Sequence, residues 1–159
     1  MGKERGSSKK ERGNAGMKQD DLEILHDIQK NTRKAMTVID VVLDKTVDDK
    51  LCIELSEHAL KYAKIHNRAI EELLRNQGEV YRGNSLEEIA IKGGIHADTI
   101  FNISTPHLAG LMIRKSSEGL TDIWKTIRHH QRAGELCMEM AEELADFEEQ
   151  NIQKYKEFL

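Results

Sequence analysis

Residues 20–47 read DDLEILHDIQKNTRKAMTVIDVVLDKTV, and this stretch carries the clearest helical pattern in the chain. Steps of three and four, the period of one helix face, separate Leu22, Leu25, Gln29, Thr32, Met36, Ile39 and Leu43. That face is widened by Ile24, Ile28, Ala35, Val38 and Val42. Asp20 or Asp21 can cap the N-terminus, where negative charge also suits the helix dipole. The pattern predicts a first long helix over 20–47.

Two further stretches repeat this pattern. Asp48-Asp49 opens a second predicted helix over about 49–76, and Asn76-Gln77-Gly78 ends it. Its apolar face consists of Cys52, Leu55, Ala59, Tyr62, His66, Ala69 and Leu73. The last predicted helix runs from about Gly134 to the C-terminus, and one of its faces carries Cys137, Ala141, Leu144, Glu148, Ile152, Tyr155 and Leu159. The short connection between the first two helices predicts that they pack antiparallel.

The single Pro of the chain lies between these helices. One unbroken helix over 85–132 would be about 70 Å long, against roughly 40 Å for its neighbours. Thr105-Pro106 is a helix start signal, a cap residue followed by Pro at the first helical position. We therefore predict a short extra helix that begins with the capping box Ser85–Glu88, and a third long helix from Thr105 to about 132.

Composition favours an all-α fold. Aromatic residues are only 4% of the 159 residues, which argues against a sandwich or barrel of aromatic and β-branched strands. Charged residues make up 33%, and no run approaches the roughly 18 to 20 apolar residues of a membrane-spanning helix. The expected fold is an up-down four-helix bundle with an extra short helix before the third long helix.

Charge is distributed unevenly along the chain. Residues 1–16 hold five basic and two acidic side chains, a local +3, so the formal net charge of −4 leaves −7 for residues 17–159. With so few apolar residues this segment cannot order itself, and we predict a disordered basic tail over 1–17 and one helical-bundle domain over 18–159. A basic arm can bind nucleic acid. We favour a solvated extension, because the negative body repels phosphate and no aromatic residue is interleaved.

The sequence also bears on location and partners. The N-terminal segment lacks the apolar core of a secretory signal, and Cys52 and Cys137 have no Cys-x-x-Cys spacing. We therefore expect a cytoplasmic protein with two buried thiols and no membrane association. The first and last predicted helices have apolar faces wider than a coiled-coil seam, which predicts a spare face for a homo-oligomer or a protein partner. On the third helix, Gly110, Ser116, Ser117 and Gly119 would let a neighbouring backbone come close.

Polar side chains on apolar helix faces are the candidate site. His58, Tyr62 and His66 follow one another at i, i+4 and i+8, and Glu148 lies within the apolar face of the last helix. Burying an ionised Glu is costly unless it is paired or ligates a metal. One hypothesis is a mononuclear or degenerate site for Fe, Mn or Zn formed by His58, His66 and Glu148. The other, and the commoner arrangement, is a His–Glu or Tyr–Glu hydrogen bond that fixes the register of the helices, or a Glu side chain that reaches a hydrated groove.

Sequence motifs for chemistry are sparse. A di-iron bundle needs Glu-x-x-His on two helices, and Glu23-Ile24-Leu25-His26 is the single match. There is no phosphate-binding loop, no Gly-x-Ser-x-Gly and no Cys/His pair that suggests a nucleophile. We therefore expect a small bundle protein without catalysis that acts by self-association or protein binding.

One resemblance extends over residues 18–159. The stretches IHADTIFNISTPHLAGLMI (95–113), SSEG (116–119) and FEEQNI (147–152) resemble those of small, uncharacterised bacterial proteins of the ferritin-like helical-bundle type. The resemblance implies an up-down bundle of metal-binding ancestry. The alternative function is therefore a ferritin-like metal-binding protein or a di-iron-type oxidoreductase with a degenerate site, and whether the chain is an enzyme stays open.

Overall fold

The computed structural model of this protein describes residues 17–159, and the predicted basic tail at 1–16 lies outside the described residues. Five helices account for most of this part of the chain. They are α1 (Gln19–Leu43), α2 (Asp49–Arg75), α3 (Ser85–Thr99), α4 (Thr105–His129) and α5 (Glu135–Lys156). Residues 17–159 contain no β-strand, so the prediction of an all-α helical bundle is confirmed.

The helices pack around one apolar core. Helix α1 packs most extensively against α2, and α4 against α5, while α1 also contacts α3, α4 and α5. Four of the helices supply many core side chains, whereas Ile95 is the fully buried apolar residue of α3. Helix α3 therefore lies on the outside of the bundle, against α1. None of the helices described here is both long and apolar enough to cross a membrane.

The connection between α1 and α2 is longer than predicted. Helix α1 ends at Leu43 rather than at 47, because a tighter turn follows it. The backbone N–H of Lys45 donates to the carbonyl of Val42 at 3.0 Å, and the hydroxyl of Thr46 donates to the same carbonyl at 2.7 Å. Asp48 then adopts an extended conformation and caps α2 by accepting a hydrogen bond from the N–H of Leu51 at 2.9 Å.

The acidic residues at the start of α1 hold another part of the chain. The prediction that Asp20 or Asp21 caps α1 is wrong, because the N-cap position is Lys18. A carboxylate oxygen of Asp20 accepts the N–H of Arg132 at 3.0 Å, and Asp21 accepts the N–H of Gly134 at 2.6 Å. These two carboxylates fasten the α4–α5 connection to the first turn of α1.

The predicted break before the third long helix is confirmed. Helix α3 ends at Thr99 and α4 begins at Thr105, with Pro106 in its first turn. Both caps lie one residue earlier than predicted. Ser104 is the N-cap of α4, and Asn84 caps α3 by accepting hydrogen bonds from Leu86 and Glu87. Asn84 takes the cap of α3 because its side chain reaches two free N–H groups of the first turn.

The buried face of α2 is rotated by about one residue relative to the prediction. Leu55, Tyr62, Ala69 and Leu73 are buried as predicted. At the other three positions, however, the buried residue is the one before the predicted residue. The structure buries Leu51, His58 and Ile65, and it leaves Cys52, Ala59 and His66 only partly buried. Packing against two neighbouring helices selects the centre of a wide apolar face, which periodicity alone leaves uncertain by one position.

Helix α2 ends in a Schellman motif, in which two backbone bonds reach back into the last turn. Gly78 N–H donates to the carbonyl of Leu73 at 2.8 Å, and Gln77 N–H donates to that of Leu74 at 3.2 Å. The left-handed residue is Gln77, with φ of 57°, rather than the glycine that follows it. A side chain in this conformation is strained by contact between Cβ and its own backbone.

Replacement of Gln77 by glycine is therefore expected to stabilise the protein by about 0.5 to 1 kcal/mol, because the relief of strain exceeds the entropy that glycine loses on folding. Urea unfolding measures the change. The matched control is Gln150→Gly in the middle of α5, which is expected to cost about 1 kcal/mol. Equal destabilisation by the two replacements would contradict the strain at Gln77.

Candidate functional site

A buried carboxyl group is the centre of the candidate site. Glu148 of α5 is only 1% exposed, and the hydroxyl of Tyr62 on α2 donates a hydrogen bond to its Oε2 at 2.7 Å. Asn151 of α5 donates to the same Tyr62 oxygen at 2.9 Å. The three side chains form a short hydrogen-bonded chain between α2 and α5.

Burial dominates the electrostatics of Glu148. Removal from water raises the pKa of this carboxyl to about 7, and hydrogen bonds from Tyr62 and Ser116 oppose the shift without cancelling it. The pKa of the Tyr62 hydroxyl is raised as well, by its burial and by the neighbouring carboxyl. Tyr62 therefore stays protonated and acts as a donor, whereas Glu148 changes its charge near neutral pH.

A glycine makes room for this carboxyl on α4. A Cβ atom at Gly119 would lie 2.7 Å from Oε1 of Glu148, far inside van der Waals contact, and 3.3 Å from Oδ1 of Asn31. The amide nitrogen of Asn31 donates to the Gly119 carbonyl at 2.8 Å. The prediction that small residues here admit a neighbouring backbone is therefore wrong for Gly119, because side chains from α5 and α1 occupy the space.

Two acceptor oxygens meet beside Gly119. Oδ1 of Asn31 is buried and has no hydrogen-bond partner among the described residues. Oε1 of Glu148 lies close to the same point, while Oε2 is the oxygen that receives the Tyr62 hydroxyl. A buried acceptor without a donor costs free energy, so this spot favours a group that can donate.

These oxygens belong to the wall of a cavity of about 370 Å³. The cavity lies between α1 and α4, with one turn of α3 at its side. Its apolar wall is formed by Ala35, Val38, Ile91, Met112 and Ile123. The volume is within the range of roughly 300 to 1000 Å³ that small-molecule sites occupy.

Charged side chains surround the cavity in pairs. Lys34 bridges to Glu87 at 2.8 Å, and Lys115 to Glu118 at 3.1 Å. A third pair, Lys30 with Asp27, is 3.5 Å apart. Each of these three lysines has an acidic partner, whereas Glu148 forms no ion pair with any of residues 17–159. When Glu148 is ionised, the inner wall is therefore the electronegative part of the cavity.

His58 belongs to a neighbouring buried group. Its Nε2 lies 2.8 Å from Oε1 of Glu54, and its Nδ1 lies 2.6 Å from the hydroxyl of Tyr155. Burial lowers the pKa of His58 to about 4, so the imidazole is neutral at pH 7. Because a carboxylate only accepts, Nε2 carries the proton and Nδ1 accepts from Tyr155. Both ring nitrogens are therefore engaged with protein groups.

His66 faces a different helix. Its Nδ1 lies 2.8 Å from the hydroxyl of Thr32 on α1, and that hydroxyl donates to the carbonyl of Ile28. No group of three His, Cys, Asp or Glu side chains suited to a metal ion occurs in residues 17–159. The structure thus brings Glu148 together with Tyr62, as in the hydrogen-bond hypothesis, and engages His58 and His66 with other partners.

Sequence reasoning missed several residues of this site. Asn31, Ser116 and Asn151 are buried polar residues. Of the three, Ser116 has apolar or small neighbours at three and four positions, the signal that singled out Glu148. Asn31 and Asn151 have charged residues among these neighbours, so this signal does not mark them. The close approach of Glu148 to Gly119 has no such signal either, because it depends on contacts between helices that are distant in sequence.

A second candidate surface is the exposed side of α3. Its members are apolar or lack a side chain and are exposed to solvent, and we call them the α3 outer face: Leu86, Ile89, Gly93, Ala97, Ile100 and Phe101. Phe101 is 97% exposed and Leu86 is 78% exposed. The spare apolar face was predicted on the first and last helices. The structure buries the long apolar faces of α1 and α5 and leaves this one uncovered.

No family model, no curated protein and no solved structure matches this chain. The resemblance to ferritin-like bundles therefore stays a prediction.

Proposed function

We propose that this chain is a helical-bundle protein without catalytic activity that acts by self-association, and that a second copy docks on the α3 outer face. The observation that supports this proposal most directly is the exposure of large apolar side chains along one side of α3. Monomeric proteins expose single apolar residues commonly, but contiguous apolar patches mark interaction sites. Covering Leu86, Ile100 and Phe101 removes apolar surface from water, which is the main favourable contribution to association.

The order of residues on this face supports a second copy as the partner. Leu86 and Ile100 lie seven residues before and after Gly93, and Ile89 and Ala97 lie four residues before and after it. A two-fold interface needs a surface that is complementary to itself. An axis through Gly93 pairs two α3 helices antiparallel, so that Leu86 contacts Ile100 of the partner subunit.

The glycines at the centre of the face support this arrangement. A Cβ atom at Gly93 or Gly94 would meet nothing within 4 Å, so no contact among residues 17–159 accounts for these glycines. Glycine weakens the middle of a helix by about 1 kcal/mol relative to alanine. Glycine at these positions would allow the backbones of two α3 helices to approach closely at the two-fold axis.

The finer features of the fold belong to the same proposal. We infer that α1, α2, α4 and α5 form an up-down four-helix bundle of the ferritin-like type, with α3 as the extra helix. The contacts of α1 with α2 and α4, and of α5 with α4 and α2, support a closed ring of four helices. We further propose a cytoplasmic location, which the free thiols of Cys52 and Cys137 favour.

Sedimentation equilibrium of the full chain tests the self-association. The wild-type protein is expected to be a dimer at about 10 μM, and Ile100→Glu is expected to weaken the dimer by about a hundredfold or more. The matched control is Leu60→Glu, which places the same charge at a 66% exposed leucine of α2. The control is expected to dimerise like the wild type, because Leu60 lies outside the α3 outer face.

Three outcomes would overturn this proposal. One is a wild-type monomer at about 100 μM. Another is dissociation by Leu60→Glu with none by Ile100→Glu. The third concerns the alternative function: about one Fe, Mn or Zn per chain in protein purified without chelator, lost in His66→Ala or Glu148→Ala, would replace self-association by a ferritin-like metal-binding function.

A further inference from the structure

We propose that the cavity between α1 and α4 binds a small organic cation, an amine with an apolar body, whose ammonium group lies between Oε1 of Glu148 and Oδ1 of Asn31. This inference goes beyond self-association and does not depend on it. It rests on the hydrogen-bond chemistry of the inner wall, the close approach of Glu148 to Gly119 and the apolar lining of the cavity.

The inner wall presents acceptors to a ligand. Oδ1 of Asn31, which is 92% buried as a residue, has no partner among the described residues. Nδ2 of Asn31 donates to Gly119 and the Tyr62 hydroxyl donates to Oε2 of Glu148, so neither serves Oδ1 of Asn31. A ligand group that reaches both Oδ1 of Asn31 and Oε1 of Glu148 must donate at least two hydrogen bonds, as an ammonium group does.

Charge selects a cation over a neutral donor. The lysines around the cavity are each paired with an acidic side chain, whereas Glu148 has no cationic partner in the part of the chain that the structure describes. Hydrogen bonds between an ionised donor and a carboxylate are about twice as strong as neutral ones. The attraction between the two charges is stronger here than in water, because the effective dielectric constant near buried groups is lower.

The cavity itself provides the space for the ammonium group, since Asn31, Gly119 and Glu148 all line it. Because Gly119 lacks a Cβ, Oε1 of Glu148 can lie against the backbone of α4. Beyond these residues Val38, Met112 and Ile123 provide an apolar wall. An alkyl or aryl body of roughly ten non-hydrogen atoms suits a cavity at the lower end of ligand-site volumes.

Calorimetric titration of the full-length protein at pH 8 tests this site. The probe is 2-phenylethylamine, and 2-phenylethanol and phenylacetate are neutral and anionic analogues of the same size. We expect the amine to bind at least about tenfold more tightly than the alcohol, and phenylacetate not to bind. Glu148→Gln is expected to weaken the binding of the amine by about tenfold or more.

Two further variants separate the site from general effects of charge and folding. Gly119→Ala places a Cβ 2.7 Å from the present position of Oε1 of Glu148 and so displaces the carboxyl, and it is expected to weaken amine binding to a similar degree. Glu143→Gln removes one negative charge from the same helix α5, at a half-exposed residue that pairs with Arg68, and is expected to change amine affinity less than twofold. Circular dichroism of each variant reports whether the helices are retained.

The proposal is overturned if no amine binds the wild-type protein at up to about 10 mM. It is equally overturned if the alcohol binds as tightly as the amine, or if Glu143→Gln weakens binding as much as Glu148→Gln. Binding of Mn²⁺ or Zn²⁺ alone at Glu148, without binding of the amine, would assign the cavity to an inorganic ion and would also reject the amine site.

Discussion

Replacing Glu148 by glutamine is expected to stabilise the folded protein by about 3 kcal/mol at pH 8. The carboxyl has a pKa of about 7 in the bundle, against 4.5 as its ordinary value, because burial disfavours its charged form. Each unit of pKa shift corresponds to about 1.4 kcal/mol between the two states. At pH 8 the wild-type protein therefore carries an ionised side chain that the interior disfavours, and glutamine removes that cost.

Glutamine also suits the neighbours of position 148. Its amide oxygen can accept the hydrogen bond of Tyr62, and its amide nitrogen can donate towards the unpartnered Oδ1 of Asn31. The variant thus keeps the bond to α2 and offers a donor to the acceptor that lacks one. A larger gain in stability than the charge term alone would be consistent with this second contact.

The stabilisation depends on pH in a defined direction. The folded-state pKa of Glu148 lies above the unfolded value, so the folded state holds its proton at pH values where the unfolded chain has lost it. The contribution of Glu148 to the free energy of unfolding is therefore largest below about pH 4.5. It falls as the pH rises towards 7 and stays constant at higher pH. The advantage of Glu148→Gln is expected to be small at pH 4.5 and full at pH 8.

Urea unfolding of both proteins at several pH values measures this difference. The comparison must be made at each pH, because His58 acts in the opposite direction. Its pKa is lowered from 6.5 to about 4 by burial, so its contribution is full above pH 6.5 and is lost as the pH falls towards 4. An advantage of Glu148→Gln that is the same at pH 4.5 and at pH 8 would show that the carboxyl is not the cause.

Removal of the Tyr62 hydroxyl is expected to have the second-largest effect. Tyr62→Phe takes away the donor to Oε2 of Glu148 and the acceptor of Asn151, both of which are 1% exposed. A lost hydrogen bond to a buried charged group costs about 1.5 to 3 kcal/mol. The amide of Asn151, which loses its acceptor in this variant, adds to the cost. We expect a loss of about 3 kcal/mol at pH 8, measured by urea unfolding.

The loss is expected to be smaller at pH 5. The Tyr62 hydroxyl lowers the pKa of Glu148, so its removal raises that pKa further and penalises the ionised form most. Tyr81→Phe is the control, because the Tyr81 ring is only partly buried and lies under the Lys30 ammonium group. It is expected to change stability by less than about 0.5 kcal/mol. A loss of the same size for Tyr62→Phe at both pH values would contradict the link to Glu148.

The two results bear on function when taken together. If Glu148→Gln is more stable and no longer binds the amine, the carboxyl lowers stability in the free protein and contributes binding energy in the complex. Residues of binding sites often have this property, because a group selected for a ligand need not suit the empty site. The same variant would leave dimerisation through the α3 outer face unchanged, since Glu148 lies inside the bundle.

The helices themselves were predictable because their signals are local. The apolar spacing of three and four identified α1, α2, α4 and α5, and Thr105-Pro106 placed the break before α4. The ends of the helices were less predictable than their interiors. Asp20 and Asp21 have the sequence of a cap, yet they bind the α4–α5 connection, which is more than a hundred residues away along the chain.

The candidate site was predictable only in part. Glu148 could be singled out because a carboxyl on an apolar helix face is costly to bury, and that reasoning needs no partner. Its partners could not be identified in this way. Tyr62 is 86 residues away in sequence, and the contact between Asn31 and Gly119 spans 88 residues.

By itself the sequence determined the all-α class, the positions of the helices and the place of Glu148 on an apolar helix face, because each follows from spacing within one turn or two of helix. Only the tertiary structure decided which side chains meet Glu148, where the cavity lies and which apolar face stays exposed. The physical reason is that burial and hydrogen bonding at a given position are set by the helices packed against it, and their arrangement depends on contacts between distant parts of the chain.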